Sequence, residues 1–187
     1  HWMVHSFPTR RSSDLGAVGL YHIDRLTPEA REKKKSLVKK KARTYVIDDA
    51  ELERVYRAYP LMWKKPDARP KLCFIGCPHL SLAQVRSWLS RIEDALSRRG
   101  RRSVAVRTVL TTAPDVAAAF MRENGASARL RRAGLSLSSI CPLMYMNNPL
   151  CGREPVITNS NKLRTYTTAR YYRDGDILDI IAGGRAK

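Results

Sequence analysis

The chain has 187 residues, enough for one domain with a sizeable core, and carries a formal charge of +18 with a pI near 10.3. That charge raises affinity for nucleic acid or anionic surfaces without dictating a fold, and no apolar stretch approaches the roughly 20 residues of a membrane span. Four cysteines without regular close spacing do not make a disulfide scaffold; a reducing, cytoplasmic setting with reactive or metal-binding thiols fits them better.

The first residues stand apart. Ser6 through Leu15 read like a translated sequencing-library adapter. Residues 1–15 are therefore expected to be a non-native tail that packs against nothing, and the native chain to begin mid-gene near Gly16. Val18, Leu20, Tyr21 and Ile23 form only a short apolar patch. Thr27-Pro28-Glu29 is a helix start, with a cap, a proline and an acid in the first turn. That helix runs into Lys33-Lys34-Lys35 and Lys39-Lys40-Lys41, a basic stretch that is either a solvated face or a polyanion contact. Arg43 to Ile47 is rich in β-formers and is expected to be a short strand. A helix begins at Asp48-Asp49 with Leu52, Val55, Tyr56 and Tyr59 on one face, and Pro60 to Pro70 reads as a loop.

The most informative stretch follows. Leu72 to Gly76 reads as a buried strand, and from Leu82 the residues Val85, Leu89, Ile92 and Leu96 recur at helical spacing. Ser81 with Gln84 makes a capping box, so Cys77-Pro78-His79 lies on the loop between strand and helix. Gly100 ends that helix. Ser103 to Leu110 alternates like a strand, and Thr112-Ala113-Pro114-Asp115 opens a helix with Val116, Phe120 and Met121 inward. A shorter helix around Leu130 stops at Gly134. Leu135 to Ile140 is the next strand, ended by Cys141-Pro142, and Cys151 falls in a Pro- and Gly-bounded loop. Pro155-Val156-Ile157 is a third short strand, leading into Thr158-Asn159-Ser160-Asn161-Lys162. A helix through Ala169 to Tyr172 and a strand at Ile177 to Ile181 complete the reading. Strands alternating with helices predict an α/β fold, a mainly parallel sheet flanked by helices.

In such a sheet the strand exits share one edge, where ligands collect. Cys77, His79, Cys141 and the Thr158–Lys162 segment all stand at exits. Thiolates from two loops suit a soft metal or an iron–sulfur cluster. Asn159, Ser160 and Lys162 suit an anionic oxygen ligand, with backbone N–H groups and a helix dipole adding to the lysine charge. Each also has a bland reading, as core thiols, a local cap or an ordinary polar loop. Cys73, inside a strand, reads as a small buried apolar residue.

Gly76-Cys77-Pro78-His79-Leu80-Ser81, then Cys141-Pro142, then Thr158-Asn159-Ser160-Asn161-Lys162 resemble, in order and spacing, the catalytic large-subunit region of the aconitase X family. Tyr21-His22 with Leu26-Thr27-Pro28-Glu29-Ala30 is similar to a segment upstream of the first motif. Ser139-Ile140 stands where the family usually carries Asp-Thr, and Leu163 to Tyr166 where it tends towards small residues and a His-Tyr pair. The resemblance implies an aconitase-like fold, here incomplete: residues 16–187 would be the C-terminal part of a catalytic domain. A long N-terminal half and a small swivel-type domain or subunit that supplies a serine base would be absent. It implies a hydro-lyase that removes water from a small hydroxy acid, a hydroxyproline isomer or phosphomevalonate, with iron or an iron–sulfur cluster as cofactor. On that analogy Cys77 and Cys141 would be metal ligands, and Asn159, Ser160 and Lys162 would lie near the substrate's carboxylate or phosphate, with His79 beside them. Two other readings stay open. One is a basic nucleic-acid-binding protein with zinc at Cys73, Cys77, His79 and a distant cysteine; the spacing is poor for a zinc finger. The other is a metal-free α/β interaction module.

Overall fold

The computed structural model describes residues 21–183. The expectations for residues 1–15, and for Val18 and Leu20, lie outside the described residues. The chain divides into two units, His1–Ala58 and Tyr59–Lys187.

In the first unit, α1 (Pro28–Lys33) starts where Thr27-Pro28-Glu29 predicts, then tightens into a 3-10 turn, Lys34–Leu37. Helix α2 (Asp49–Arg57) is capped by Asp48, whose side chain accepts from the Glu51 N–H. The expected strand at Arg43 to Ile47 does not form. The segment has no ladder partner among the described residues, and Tyr45, Val46 and Ile47 are exposed. High β-propensity reports a fit to a half-buried pleated surface and makes no strand where that surface is lacking.

The second unit holds a five-stranded sheet: β1 (Leu72–Leu80), β2 (Arg107–Thr112), β3 (Leu135–Ser138), β4 (Val156–Thr158) and β5 (Arg170–Tyr171). The order is β3-β2-β1-β4-β5 and every pairing is parallel. Its helices are α3 (Leu82–Arg98), α4 (Pro114–Met121), α5 (Ala126–Ala133), α6 (Pro142–Asn147), α7 (Pro149–Gly152), α8 (Asn161–Tyr166) and α9 (Asp174–Ile181). Successive strand residues face opposite sides, and two cores result. Cys73, Ile75, Leu110 and Ile157 belong to the cluster that includes Val85, Leu89 and Ile92 of α3, Phe120 of α4, Leu130 of α5, and Ile177 and Ile181 of α9. Leu72, Phe74, Val109 and Val156 turn the other way, to Met146 of α6 and Leu163 of α8. Helices thus cover both faces, as a parallel sheet requires.

Several sequence expectations are corrected here. Strand β2 begins at Arg107, not Ser103, because the preceding backbone is bonded to helix ends: Val104 N–H donates to the Ala133 carbonyl at 3.0 Å and Ala105 N–H to that of Ile181 at 2.7 Å. Strand β3 stops at Ser138. Met121 is 46% exposed while Phe120 is buried; Val116 and Phe120, four apart, share the inner face, and Met121 is turned about 100° from Phe120. The stretch around Cys151 is helical, α7, rather than loop. The two terminal assignments are exchanged. Ala169 to Tyr172 contains strand β5, and Ile177 to Ile181 lies in helix α9. Ile177, Leu178, Ile180 and Ile181 are buried at a spacing that suits one helical stripe, and an apolar run that short does not distinguish strand from helix by itself.

Candidate functional site

The sheet order reverses between β1 and β4: from β1 the chain winds outward to β2 and β3, then returns to β4 and β5. Such a switch point opens a crevice at the carboxyl ends of the strands. Two of the sequence motifs flank it, Cys77-Pro78-His79 from β1 and Asn159 to Lys162 after β4.

The first motif is not a free loop but a bulge. Pairing passes from Ile75↔Leu110 directly to Leu80↔Thr112, so Gly76 to His79 stand opposite Thr111 alone. Bulges re-aim side chains next to functional sites. Gly76 makes this one possible, with a φ of +115° that side chains rarely adopt. Two buried hydroxyls tether it to β2: Thr111 Oγ1 donates to the Gly76 carbonyl at 2.6 Å, and Thr112 Oγ1 to the Leu80 carbonyl at 2.5 Å. The Cys77–Pro78 peptide is cis. Cys77 is half-buried against the second core, whereas Pro78 and His79 are exposed. The capping box holds the other side of the bulge: Ser81 N–H donates to Gln84 Oε1 at 2.8 Å, and Gln84 N–H to Ser81 Oγ at 3.3 Å.

The second motif is equally built. Thr158 Oγ1 donates to the Phe74 carbonyl at 2.9 Å and accepts from Ser160 N–H at 3.1 Å, locking the exit of β4 to β1. Ser160 is buried, and its hydroxyl accepts from Leu163 N–H at 3.0 Å as the cap of α8. Asn161 Oδ1 accepts from Arg164. Asn159 Nδ2 donates to Asp174 Oδ1 at 2.9 Å, and Asp174 Oδ2 accepts from Arg91 Nη1 at 3.1 Å. Lys162 is half-buried on the first turn of α8. Because α8 has six residues, the lysine charge outweighs its short dipole.

Cys141 occupies the N-cap position of α6 after β3, two strands from β1, without a side-chain capping bond. Its strand exits at the same edge as β1, and its helix turns back over the second core. Tyr145 stacks on Phe74 at 5.2 Å between ring centroids, and its hydroxyl pairs with Ser138 Oγ at 3.1 Å. Cys151 packs against the same core as Cys77. Cys73 is fully buried, and burial pushes its thiol far above the usual range, as expected of an inert apolar residue. Cys73 lies in the first core and Cys77 packs against the second, so the zinc set of Cys73, Cys77 and His79 is divided between the two faces of the sheet. Cys77 and Cys141 are soft donors of the kind iron takes, but among the described residues no group of three or more His, Cys, Asp or Glu comes together to hold an ion. A groove of about 810 Å³ in the first unit, lined by His22, Arg25, Arg31, Lys34 and Lys35 among others, contains none of the residues expected at the site.

Sequence reasoning missed Asp174 and Arg91. Asp174 and Asp176 before an apolar stripe are first-turn acids of a helix, a signal that was legible once the stripe is read as helical. Nothing local announces that Arg91 reaches Asp174.

Comparison with known proteins agrees with this fold. The family model described as the aconitase X third domain matches residues 70–180. The large subunit of phosphomevalonate dehydratase from Thermococcus kodakarensis is 33% identical over 86 residues, which cover 46% of this chain and 19% of that protein. The crystal structure of Thermococcus kodakaraensis aconitase X in its holo-form superposes with a TM-score of 0.62 at 22% identity, covering 90% of this chain and 40% of that one. At that identity the likeness is one of fold. The chain spans less than half the length of either relative. No helix among the described residues is long and apolar enough to cross a membrane.

Proposed function

The chain belongs to the aconitase X family, and on that premise we propose that residues 16–187 are the C-terminal part of the catalytic large subunit of a cytoplasmic hydro-lyase, residues 1–15 being a non-native tail. The reaction is the removal of water from a small hydroxy acid, with phosphomevalonate or a hydroxyproline isomer as the candidate substrates. The observation that carries this reading is the convergence of the Gly76–His79 bulge and the Asn159–Lys162 exit on adjacent strand ends at the switch point.

Within this reading the residues divide the work. Lys162 and His79 face the anionic end of the substrate, with the charge of Lys162 as the main attraction. Asn159 contributes its amide, and Ser160, whose hydroxyl caps α8, contributes the shape of the turn rather than a direct contact. Cys77 and Cys141 would supply two ligands to iron or an iron–sulfur cluster. When bound, that group would act as a Lewis acid on the leaving hydroxyl. The base that removes the proton belongs to the small partner domain or subunit. Elimination needs acid and base held on both sides of one substrate, so the chain alone is expected to be inactive.

The test is to recover the upstream gene, express the complete subunit with its small partner, and reconstitute it with iron in the absence of oxygen. Iron content and visible absorbance are then measured for the wild type and for Cys77→Ser and Cys141→Ser, alongside turnover of phosphomevalonate and hydroxyproline. The expected result is iron in the wild type, its loss in either variant, and turnover by the complete assembly only. An assembly that binds no iron and dehydrates neither substrate, yet holds RNA tightly at physiological salt, would transfer the reading to the basic surface at Lys33 to Lys41.

A further inference from the structure

Within the Asn159–Lys162 motif, the side-chain donor of Asn159 bonds outside its own segment. Its partner, Asp174, is the first residue of α9, and Asp174's second oxygen is held by Arg91 of α3, whose guanidinium lies 4.4 Å over the Trp88 ring. Three elements meet in this chain of contacts, and each is anchored. The exit of β4 is bonded to β1 through Thr158 and to the residue after β5 through the Tyr172 N–H, 2.9 Å from the Thr158 carbonyl. Helix α9 is fixed by Ile177 and Ile181, and α3 by Val85, Leu89 and Ile92, all fully buried.

A carboxylate only accepts hydrogen bonds. The Asn159 amide must therefore turn its nitrogen to Asp174, which settles the choice between its two flipped orientations. Its Oδ1, on the same planar carbon, is turned away from the carboxylate. One N–H is committed, and an acceptor and a second donor remain. A carboxylate or phosphate oxygen, which also only accepts, can use the second N–H but leaves Oδ1 without a donor. A hydroxyl, which donates as well as accepts, matches Oδ1. Building on the hydro-lyase reading above, we infer that Asp174 is a positioning residue that fixes Asn159 so that Oδ1 accepts from a substrate hydroxyl. The anionic end of the substrate is left to Lys162 and His79.

The Arg91–Asp174 pair is itself a poor candidate for a stability role. The two side chains are 39% and 47% exposed, and pairs so exposed contribute little. Asp174 can thus be changed without unfolding the chain.

Two measurements test the inference. In the isotope-labelled 187-residue chain, the side-chain amide signals of Asn159 are compared between wild type, Asp174→Ala and Asp174→Glu. The expected wild-type signature is one amide proton shifted downfield and slow to exchange. It is lost in Asp174→Ala and partly restored in Asp174→Glu, while the backbone spectrum away from α9 is unchanged. An Asn159 signal indifferent to Asp174→Ala overturns the inference. In the complete iron-loaded assembly, binding of phosphomevalonate is compared with binding of its 3-deoxy analogue. Wild type should favour the hydroxylated ligand through the metal and Asn159 together, and Asp174→Ala should cut that preference by up to about tenfold, the scale of one well-made hydrogen bond. Its affinity for inorganic phosphate should stay the same. A preference undiminished in Asp174→Ala also overturns it. If the wild-type assembly binds neither ligand, the hydro-lyase reading and the hydroxyl assignment fall together, and the amide signals still decide whether Asp174 positions Asn159.

Discussion

Replacing Gly76 with alanine should be among the most damaging single-methyl additions available to this fold. The new Cβ would lie 2.3 Å from the Thr111 carbonyl oxygen, 2.7 Å from Thr111 Oγ1 and 3.0 Å from Leu80 Cγ. Even a close carbon–oxygen contact is about 3.3 Å, so the Thr111 backbone would have to retreat by about 1 Å. It cannot do so freely, because β2 is held between β1 and β3. The backbone at φ +115° adds about 1–3 kcal/mol of strain for any residue with a side chain. Loosening the Thr111 hydroxyl from the Gly76 carbonyl leaves buried polar groups short of a partner, about 1–3 kcal/mol more. The loss should reach about 3 kcal/mol, a large share of the 5–15 kcal/mol typical of a domain. With a urea slope near 2 kcal/mol per molar, the unfolding midpoint should fall by about 1.5 M. Gly100→Ala is the control: its φ is +62° and nothing lies within 4 Å of the added carbon, so only the backbone cost of about 1–2 kcal/mol applies. If Gly76→Ala shifts the midpoint no further than Gly100→Ala, with equal slopes, the steric account of the bulge is wrong.

Other outcomes follow from the same geometry. Of the four cysteines, Cys77, Cys141 and Cys151 should react with a disulfide reagent in the native chain, and Cys73 only after denaturation, because it is fully buried with its thiol held neutral; fast native labelling of Cys73, mapped by mass spectrometry, would contradict this. Ser160→Ala removes the cap of α8 and should lower stability by about 1 kcal/mol, seen as a lower thermal midpoint that Ser160→Asp restores in part. Ile177→Ala opens space in the larger core and should cost about 2–5 kcal/mol by chemical denaturation, whereas a cost below about 1 kcal/mol would argue that α9 is not docked as described. Arg129 donates to Glu93 at 3.1 and 2.6 Å, and this bonding holds the carboxyl below its ordinary value of 4.5. A depressed carboxyl stabilises the fold above its unfolded value and loses that contribution as pH falls through the folded one. Glu93→Gln should therefore be less stable than wild type at pH 7, with the gap closing only below pH 4.5; a gap unchanged down to full protonation would refute the assignment.

What the sequence determined by itself is local. The strand at Leu72, the capping box at Ser81 and Gln84, the helix stops at Gly100 and Gly134 and the helix start at Thr27-Pro28 depend on a few neighbouring residues, and each stands where the pattern puts it. The alternation of strands and helices settled the α/β class, and the order of the cysteine and asparagine motifs pointed to the family. Tertiary structure decided the remainder, because strand pairing joins residues far apart in sequence and no local pattern encodes which strands become neighbours. Thr44 to Ile47 has the composition of a strand but no described ladder, while Arg170-Tyr171 has little of that composition and becomes β5 because β4 offers an edge. Ile177 to Ile181 became helix because its stripe docks on the face occupied by α3. The order β3-β2-β1-β4-β5 sets Cys77 and Asn159 on adjacent strand ends and starts Cys141 two strands away. It also brings Asp174, 15 residues beyond Asn159, to the end of the Asn159 amide; that contact depends on the pairing of β5 and the packing of α9, which no local pattern encodes.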